Sequence, residues 1–244
     1  MICFLTSSQD QPGEAHLNRA NGFAEEFMRV VPQPCRCVYI CSAPDDYDST
    51  DKYSGMMKDI LEGTGVELAA YDVLDGRNAE QAAELICGAD VLVLTGGHVP
   101  TQNRFFHDIG LRELLQGYDG IVIGISAGTM NCAQVVYAQP EEPGEAIDPD
   151  YEKFLPGLGL TDMMMVPHYQ MTKDFELDGM RLYEDITFGD SYGNRIFVLV
   201  DGSYLYIHDG VEELRGEAYL IQDGVMRQIS AEGDVIVDPL SEEF

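Results

Sequence analysis

The stretch Ile121-Val-Ile-Gly-Ile-Ser-Ala-Gly128 reads as a buried strand that runs into a sharp turn and then a helix. No polar side chain interrupts 121–125, as expected of a strand covered on both faces. Gly124 and Gly128 flank Ser126 and leave room for a strained turn with a helix packed close behind it, which lifts a serine hydroxyl above the sheet edge as a nucleophile. In such a turn the peptide N–H of Ala127 points at a developing oxyanion, and the helix that starts there adds its positive dipole end.

Upstream of this turn, apolar runs alternate with helix-period segments in the βαβα order of a parallel sheet covered on both faces. The spacing predicts strands over 2–6, 36–42, 66–72, 90–95 and 120–125, and helices over 14–30, 50–62 and 78–87, the second capped by Ser49 or Thr50. Successive crossovers place the carboxyl ends of these strands along one edge, where ligands bind in open α/β sheets. Downstream, a helix is predicted over 127–137, an acidic, turn-rich loop at 139–145, a strand at 163–166 and a helix over 176–188. Short strands at 195–200, 203–208, 218–222 and 225–229, with turns at Asp201-Gly202, Asp209-Gly210 and Asp223-Gly224, close the chain as hairpins. The expected fold class is α/β, with a mainly parallel central sheet, helices on both faces and C-terminal antiparallel hairpins, in one domain spanning 1–244.

A serine nucleophile needs a base, and the chain offers His16, His98, His107, His168 and His208. His168 follows an apolar run and Pro167, so its ring is expected at the same sheet edge as Ser126. His16 and His107 fall on predicted helices and His208 on a hairpin, where solvated or capping roles suffice. The second oxyanion donor is expected from the glycine-rich strand exit Thr95-Gly-Gly-His98, whose N–H groups near Gly97 would face Ala127 across the cleft.

Taken together, Gly-Ile-Ser126-Ala-Gly, Thr-Gly96-Gly97-His98, Val-Pro-His168-Tyr and Leu-Val-Asp201-Gly-Ser-Tyr resemble, in order and approximate spacing, the peptidase E (α-aspartyl dipeptidase) family, to which cyanophycinase belongs. The resemblance spans residues 1 to about 210. It implies a class I glutamine amidotransferase-like fold with serine in place of cysteine, and a serine peptidase of narrow specificity, dipeptidase-like and extending to Asp-X substrates. It further implies Ser126 as nucleophile, His168 as general base, and Gly97 and Ala127 as oxyanion donors. For the third member of the triad it leaves Asp201, or an acid about fifteen residues past the serine, where Glu141, Glu142 and Glu145 lie; Asp201 is preferred, because a strand end holds a carboxylate more firmly than a Pro/Gly-rich loop. Substrate contacts are expected from His98, which replaces the asparagine usual in the family, and from Lys173 or Arg181 as the basic group for an aspartate carboxylate.

Composition narrows the partners. Lys and Arg number 14 against 43 Asp and Glu, a formal charge of −29, which disfavours nucleic acid and anionic membranes. No signal-peptide pattern opens the chain and no apolar run reaches a membrane-spanning length, so a cytoplasmic protein is expected. Six cysteines in apolar contexts read as free thiols, and Cys35-x-Cys37 lacks a second ligand pair, so neither a metal nor an organic cofactor is expected. The expected partner is a small peptide substrate, and a homodimer is left open. Two rival readings compete: an α/β-hydrolase esterase, disfavoured by the C-terminal hairpins, and a non-catalytic protein that binds a small ligand in the same cleft.

Overall fold

The computed structural model describes residues 1–10 and 13–244. Strands β1 (Ile2–Thr6), β2 (Cys35–Ile40), β3 (Leu68–Leu74), β4 (Val91–Leu94) and β5 (Ile121–Ile125) form the parallel part of an eight-stranded sheet, in the order β3-β2-β4-β5-β1. β6 (Val135–Tyr137) pairs with β7 (Phe154–Pro156) as a small separate ribbon. β8 (Met164–Val166) belongs to a second sheet, and β9 (Glu176–Leu177) with β10 (Met180–Arg181) forms a short hairpin. β11 (Arg195–Leu199), β14 (Ala218–Gln222) and β15 (Val225–Ser230) complete the second sheet, while β12 (Tyr204–His208), β13 (Val211–Arg215) and β16 (Val235–Val237) extend the main sheet beyond β1 in antiparallel fashion.

Helices α1 (Phe23–Val30), α2 (Tyr47–Thr64), α3 (Ala82–Cys87), α4 (Val99–Asp108) and α5 (Leu111–Leu115) lie between the parallel strands, and α6 (Ala127–Asn131) follows β5. This is the α/β fold, mainly parallel with C-terminal hairpins, that the sequence pattern implies.

The core explains the strand composition. All five residues of β5 are buried, and Phe4 of β1 sits among Phe23, Phe27, Tyr204 and Tyr206, with ring centroids 4.8 to 6.2 Å away. Burying such a ring stabilises the fold by about 2 kcal/mol. In the second sheet alternation divides the labour: Phe197 and Leu199 face the main core, whereas Ile196 and Val198 pack with Leu182, Tyr183 and Ile186 on the opposite face. β11 is therefore covered on both sides, and it ties the second sheet to the first.

Several predicted helices are corrected. The helix expected over 14–30 is confined to its second half, because Asn21 and Gly22 take left-handed backbone angles and the preceding peptide groups bond elsewhere, Leu17 N–H to Thr64 Oγ1 and Asn18 N–H to the Gln9 carbonyl. The helix expected over 127–137 stops at Asn131, since β-branched and aromatic Val135-Val136-Tyr137 form β6. The stretch expected as a helix over 176–188 begins as the β9–β10 hairpin, turned by Asp178-Gly179 at φ 53° and 82°, and continues as a π-type helical segment (Leu182–Thr187). The α2 cap is Asp46, whose carboxylate accepts the Ser49 N–H, rather than Ser49 or Thr50. Helix α4 carries His107, which was expected on a helix, whereas α5 and strands β13 and β16 lie where no element was expected.

Candidate active site

The carboxyl ends of β1, β4 and β5 meet at Ser126. The Thr6 carbonyl, ending β1, accepts Ser126 N–H at 3.1 Å and Thr129 Oγ1–H at 2.8 Å, and the Thr95 carbonyl beyond β4 accepts Gly128 N–H at 3.1 Å. The turn is thus stapled to both neighbouring strands. Ser126 itself sits at φ 52°, ψ −112°, a conformation costly for a residue with a side chain and sustained here by that stapling. Gly128 packs so closely on β4 that any Cβ would collide with the Leu94 carbonyl oxygen.

The second sheet presents its own carboxyl ends to the same place. His168 follows β8 and Asp201 follows β11, and these two strands are parallel neighbours. His168 Nε2 lies 2.9 Å from Ser126 Oγ, and its Nδ1 lies 2.6 Å from Asp201 Oδ1. Both side chains are about a quarter exposed, 25% and 27%, which leaves the pair reachable from solvent yet largely desolvated. His168 has φ 62°, so the second member of the constellation also occupies a left-handed conformation. With Nδ1–H donated to the carboxylate, Nε2 carries the lone pair that faces the serine hydroxyl.

Ser7, at the exit of β1 and fully buried, joins the two sheets. Its hydroxyl donates to Asp201 Oδ1 at 2.7 Å and accepts the His168 N–H at 2.9 Å. Asp201 N–H donates to Gln170 Oε1 at 3.0 Å. Burial alone would raise the Asp201 carboxyl, but hydrogen bonds from His168 and Ser7 hold it below the usual carboxylate range. Neither Ser7 nor Gln170 stood out in the sequence; the only signal for Ser7 was its place just past a strand that pairs with the serine strand.

The loop acids are engaged elsewhere. Glu141 Oε1 accepts the Val99 N–H at 2.9 Å, and desolvation raises its pKa. Glu145 Oε1 lies 2.7 Å from His98 Nε2, and Glu145 Oε2 accepts the N–H groups of Glu141 and Glu142. Burial would raise Glu145, but these donors bring it below its ordinary value. His98, whose Nδ1 lies 2.7 Å from Thr101 Oγ1, is therefore held at both ring nitrogens. His98, Glu142 and Glu145 bring ligand-type atoms within 4.8 Å of one another, although the His98–Glu145 hydrogen bond already occupies two of those groups.

Two cavities meet at the serine. One, of about 340 Å³, is lined by Gly97, Ser126, Ala127 and His168 together with Glu141 and a set of apolar side chains. The other, of about 540 Å³, shares Gly97, Ser126 and His168 and continues past His98, Tyr39 and Tyr53. Gly97, at φ 153°, approaches Ser42 so closely that a Cβ would overlap its side chain. Among the described residues, neither Gly97 N–H nor Ala127 N–H is taken by a protein acceptor. Lys173 and Arg181 line neither cavity; both are exposed, and Arg181 forms a forked pair with Asp185, with Nη2 2.7 Å from Oδ1. His16, His107 and His208 also lie outside both cavities.

An α/β sheet with a serine at the strand-to-helix turn, an imidazole against it and a carboxylate behind is the arrangement of the serine hydrolase class. Residues 3–214 match the sequence model of peptidase family S51, and the chain belongs to that family. It is a serine-type peptidase, with peptides as its substrates. Its structure is similar to that of a "Putative Peptidase E Protein" from Listeria monocytogenes EGD-e, at 18% identity and a TM-score of 0.57 over 94% of this chain and 98% of that one. A comparison with curated proteins finds no match. Among the described residues no helix is long and apolar enough to cross a membrane.

Proposed function

We propose that the protein hydrolyses small peptides through an acyl-enzyme on Ser126, with His168 as the general base and Asp201 as the acid that orients it. The observation that carries this reading is the unbroken hydrogen-bonded relay from Ser126 Oγ through His168 to Asp201, at 2.9 and 2.6 Å. His168 Nε2 takes the hydroxyl proton as Oγ attacks the peptide carbonyl, and the oxyanion is received by Gly97 and Ala127 N–H. The imidazolium then protonates the leaving amine. Water, deprotonated by the same nitrogen, releases the acyl group.

Asp201 rather than Glu141, Glu142 or Glu145 completes the relay in this reading, since among the described residues Asp201 is the carboxylate hydrogen-bonded to His168, while Glu141 Oε1 accepts the Val99 N–H and Glu145 holds His98 and its own loop. The nucleophile comes from one sheet and the base and acid from the other, so the chain works as one unit. All six cysteines are free thiols, five of them buried, which agrees with a cytoplasmic setting. The narrower Asp-X specificity requires a cation beside the acyl group, and neither Lys173 nor Arg181 reaches either cavity.

A fluorophosphonate probe is expected to label the wild-type protein, and Ser126→Ala to remove both labelling and turnover of a small-peptide panel, at least about 10⁴-fold in kcat. Retained hydrolysis by Ser126→Ala would falsify the acyl-enzyme.

A further inference from the structure

Within the serine peptidase reading, on which it rests, the substrate class can be taken further. The 340 Å³ cavity beside Ser126 is walled by Val99, Met130, Val166, Met171, Phe175 and Leu182. These come from α4, α6, β8 and the segment beyond His168, so the apolar lining is a product of the fold and not of one motif. Among the described residues lining it there is no lysine or arginine, and the one carboxylate is Glu141. Met171 and Phe175 are 65% and 45% exposed, which keeps the mouth of the cavity apolar as well.

A carboxylate substituent placed here would lose hydration, meet no lysine or arginine and face the like charge of Glu141, an unfavourable exchange. An aliphatic or aromatic side chain would gain contact with all six walls. Gln139 and Thr172 also line it, but Gln139 Nε2 donates to Thr187 Oγ1 at 2.6 Å and Thr172 Oγ1 to the His168 carbonyl at 3.0 Å, so the charged feature left on the wall is Glu141. Its Oε1 is fixed by the Val99 N–H at 2.9 Å, and no hydrogen bond among the described residues reaches Oε2. That oxygen is an open acceptor on the wall of a cavity whose end is the nucleophile. In a peptide cleaved after its first residue, the α-ammonium lies one carbon from the reacting carbonyl, and a carboxylate on that wall is its natural counter-charge. The smaller cavity suits one residue, while the larger, with Tyr39, Tyr53 and His98, is left for the leaving group.

We propose that the protein removes an apolar N-terminal residue from di- or tripeptides, its side chain held in the Val99–Met130–Leu182 cavity and its free ammonium held by Glu141. Kcat/KM on the wild-type protein tests this with Phe-, Leu- and Met-first dipeptides, the Asp-first dipeptide, and the N-acetylated forms of each. Free-amine apolar dipeptides are expected to exceed both Asp-first and N-acetylated apolar ones by about 100-fold. Glu141→Gln, which keeps an acceptor for Val99 N–H, is expected to erase most of the free-amine preference through KM, with its melting temperature as a check on folding.

Preference for the Asp-first dipeptide, indifference to acetylation in the wild type, or no turnover of any apolar free-amine dipeptide overturns the assignment. Fluorophosphonate labelling separates the two levels. A protein that labels at Ser126 yet fails the substrate ranking loses only this inference, and one that neither labels nor turns over any peptide loses the acyl-enzyme reading and this inference with it.

Discussion

The two sheets hold their parts of the proposed catalytic centre by different means. The main sheet holds Ser126 by backbone: the turn is stapled to the ends of β1 and β4, and close packing of Gly128 on β4 leaves it nowhere to relax. The second sheet holds His168 and Asp201 by side chains, through one imidazole–carboxylate hydrogen bond and the buried Ser7 hydroxyl that touches both residues. Backbone stapling depends on small residues and survives most side-chain changes. A side-chain bridge fails when one atom is removed. The nucleophile should therefore stay in place when the base and acid are disturbed, and that asymmetry is open to test.

The sharpest break is Asp201→Asn. It preserves shape but leaves His168 Nδ1 facing an amide, so the imidazole is no longer fixed in the tautomer that accepts the serine proton. A loss of about 10⁴-fold in kcat is expected. Because the turn around Ser126 is built without Asp201, the crystal structure of the variant should show the Ser126 backbone unmoved. A loss under about 10-fold would mean that another acid orients the histidine.

Ser7→Ala attacks the bridge rather than the relay. It removes one donor to Asp201 and leaves the half-buried His168 N–H without its acceptor, for a cost of about 1 kcal/mol in stability and about 10-fold in kcat with KM little changed. Ser7→Thr, which keeps the hydroxyl, should recover much of the rate. A rate for Ser7→Ala equal to wild type, measured on folded protein, would show that the two sheets align the histidine without it.

The same difference explains what could be read in advance. The five parallel strands and the Ser126 turn are local: an apolar run ending in Gly-Ile-Ser-Ala-Gly specifies its own conformation. His168 was legible because a strand and a proline place it at an edge. The acid was not settled by sequence, since Asp201 and the 141–145 loop differ only in which one the second sheet carries to His168, a long-range outcome. Ser7 was invisible for the same reason, its two partners lying 161 and 194 residues away. Lys173 and Arg181 were expected at the substrate because they follow the histidine in sequence, whereas the cavity wall is assembled from α4, α6, β8 and the segment after His168. The β9–β10 hairpin carries at Asp178-Gly179 the same Asp-Gly signal that marks the turns at 201, 209 and 223, but its flanking apolar residues also fit helical spacing, so the local pattern does not choose between hairpin and helix.

The smallest effect concerns acid. Asp201, beside the histidine, and Glu145, beside His98, both have carboxyls held below their ordinary values. A group depressed in the folded state contributes stability that is complete above its unfolded value, near 3.8 for Asp and 4.5 for Glu, and is lost as pH falls through the folded value. Glu141 runs the other way: its pKa is raised by the partial desolvation of its carboxylate, so its protonation on acidification favours the folded state. The −29 charge also relaxes on acidification, but each variant differs from wild type by a single charge, so this contribution nearly cancels from their difference. Melting temperature followed from pH 7 to about 3 should therefore fall more steeply below about pH 4.5 for wild type than for Glu145→Gln or Asp201→Asn, the gap closing by about 1 kcal/mol at the acid end. Parallel profiles for wild type and Asp201→Asn would mean that the carboxylate is not ion-paired or hydrogen-bonded to the second sheet's histidine in solution. Parallel profiles for Glu145→Gln alone would confine side-chain anchoring to the catalytic side and leave the 141–145 loop held by its backbone, as the nucleophile is.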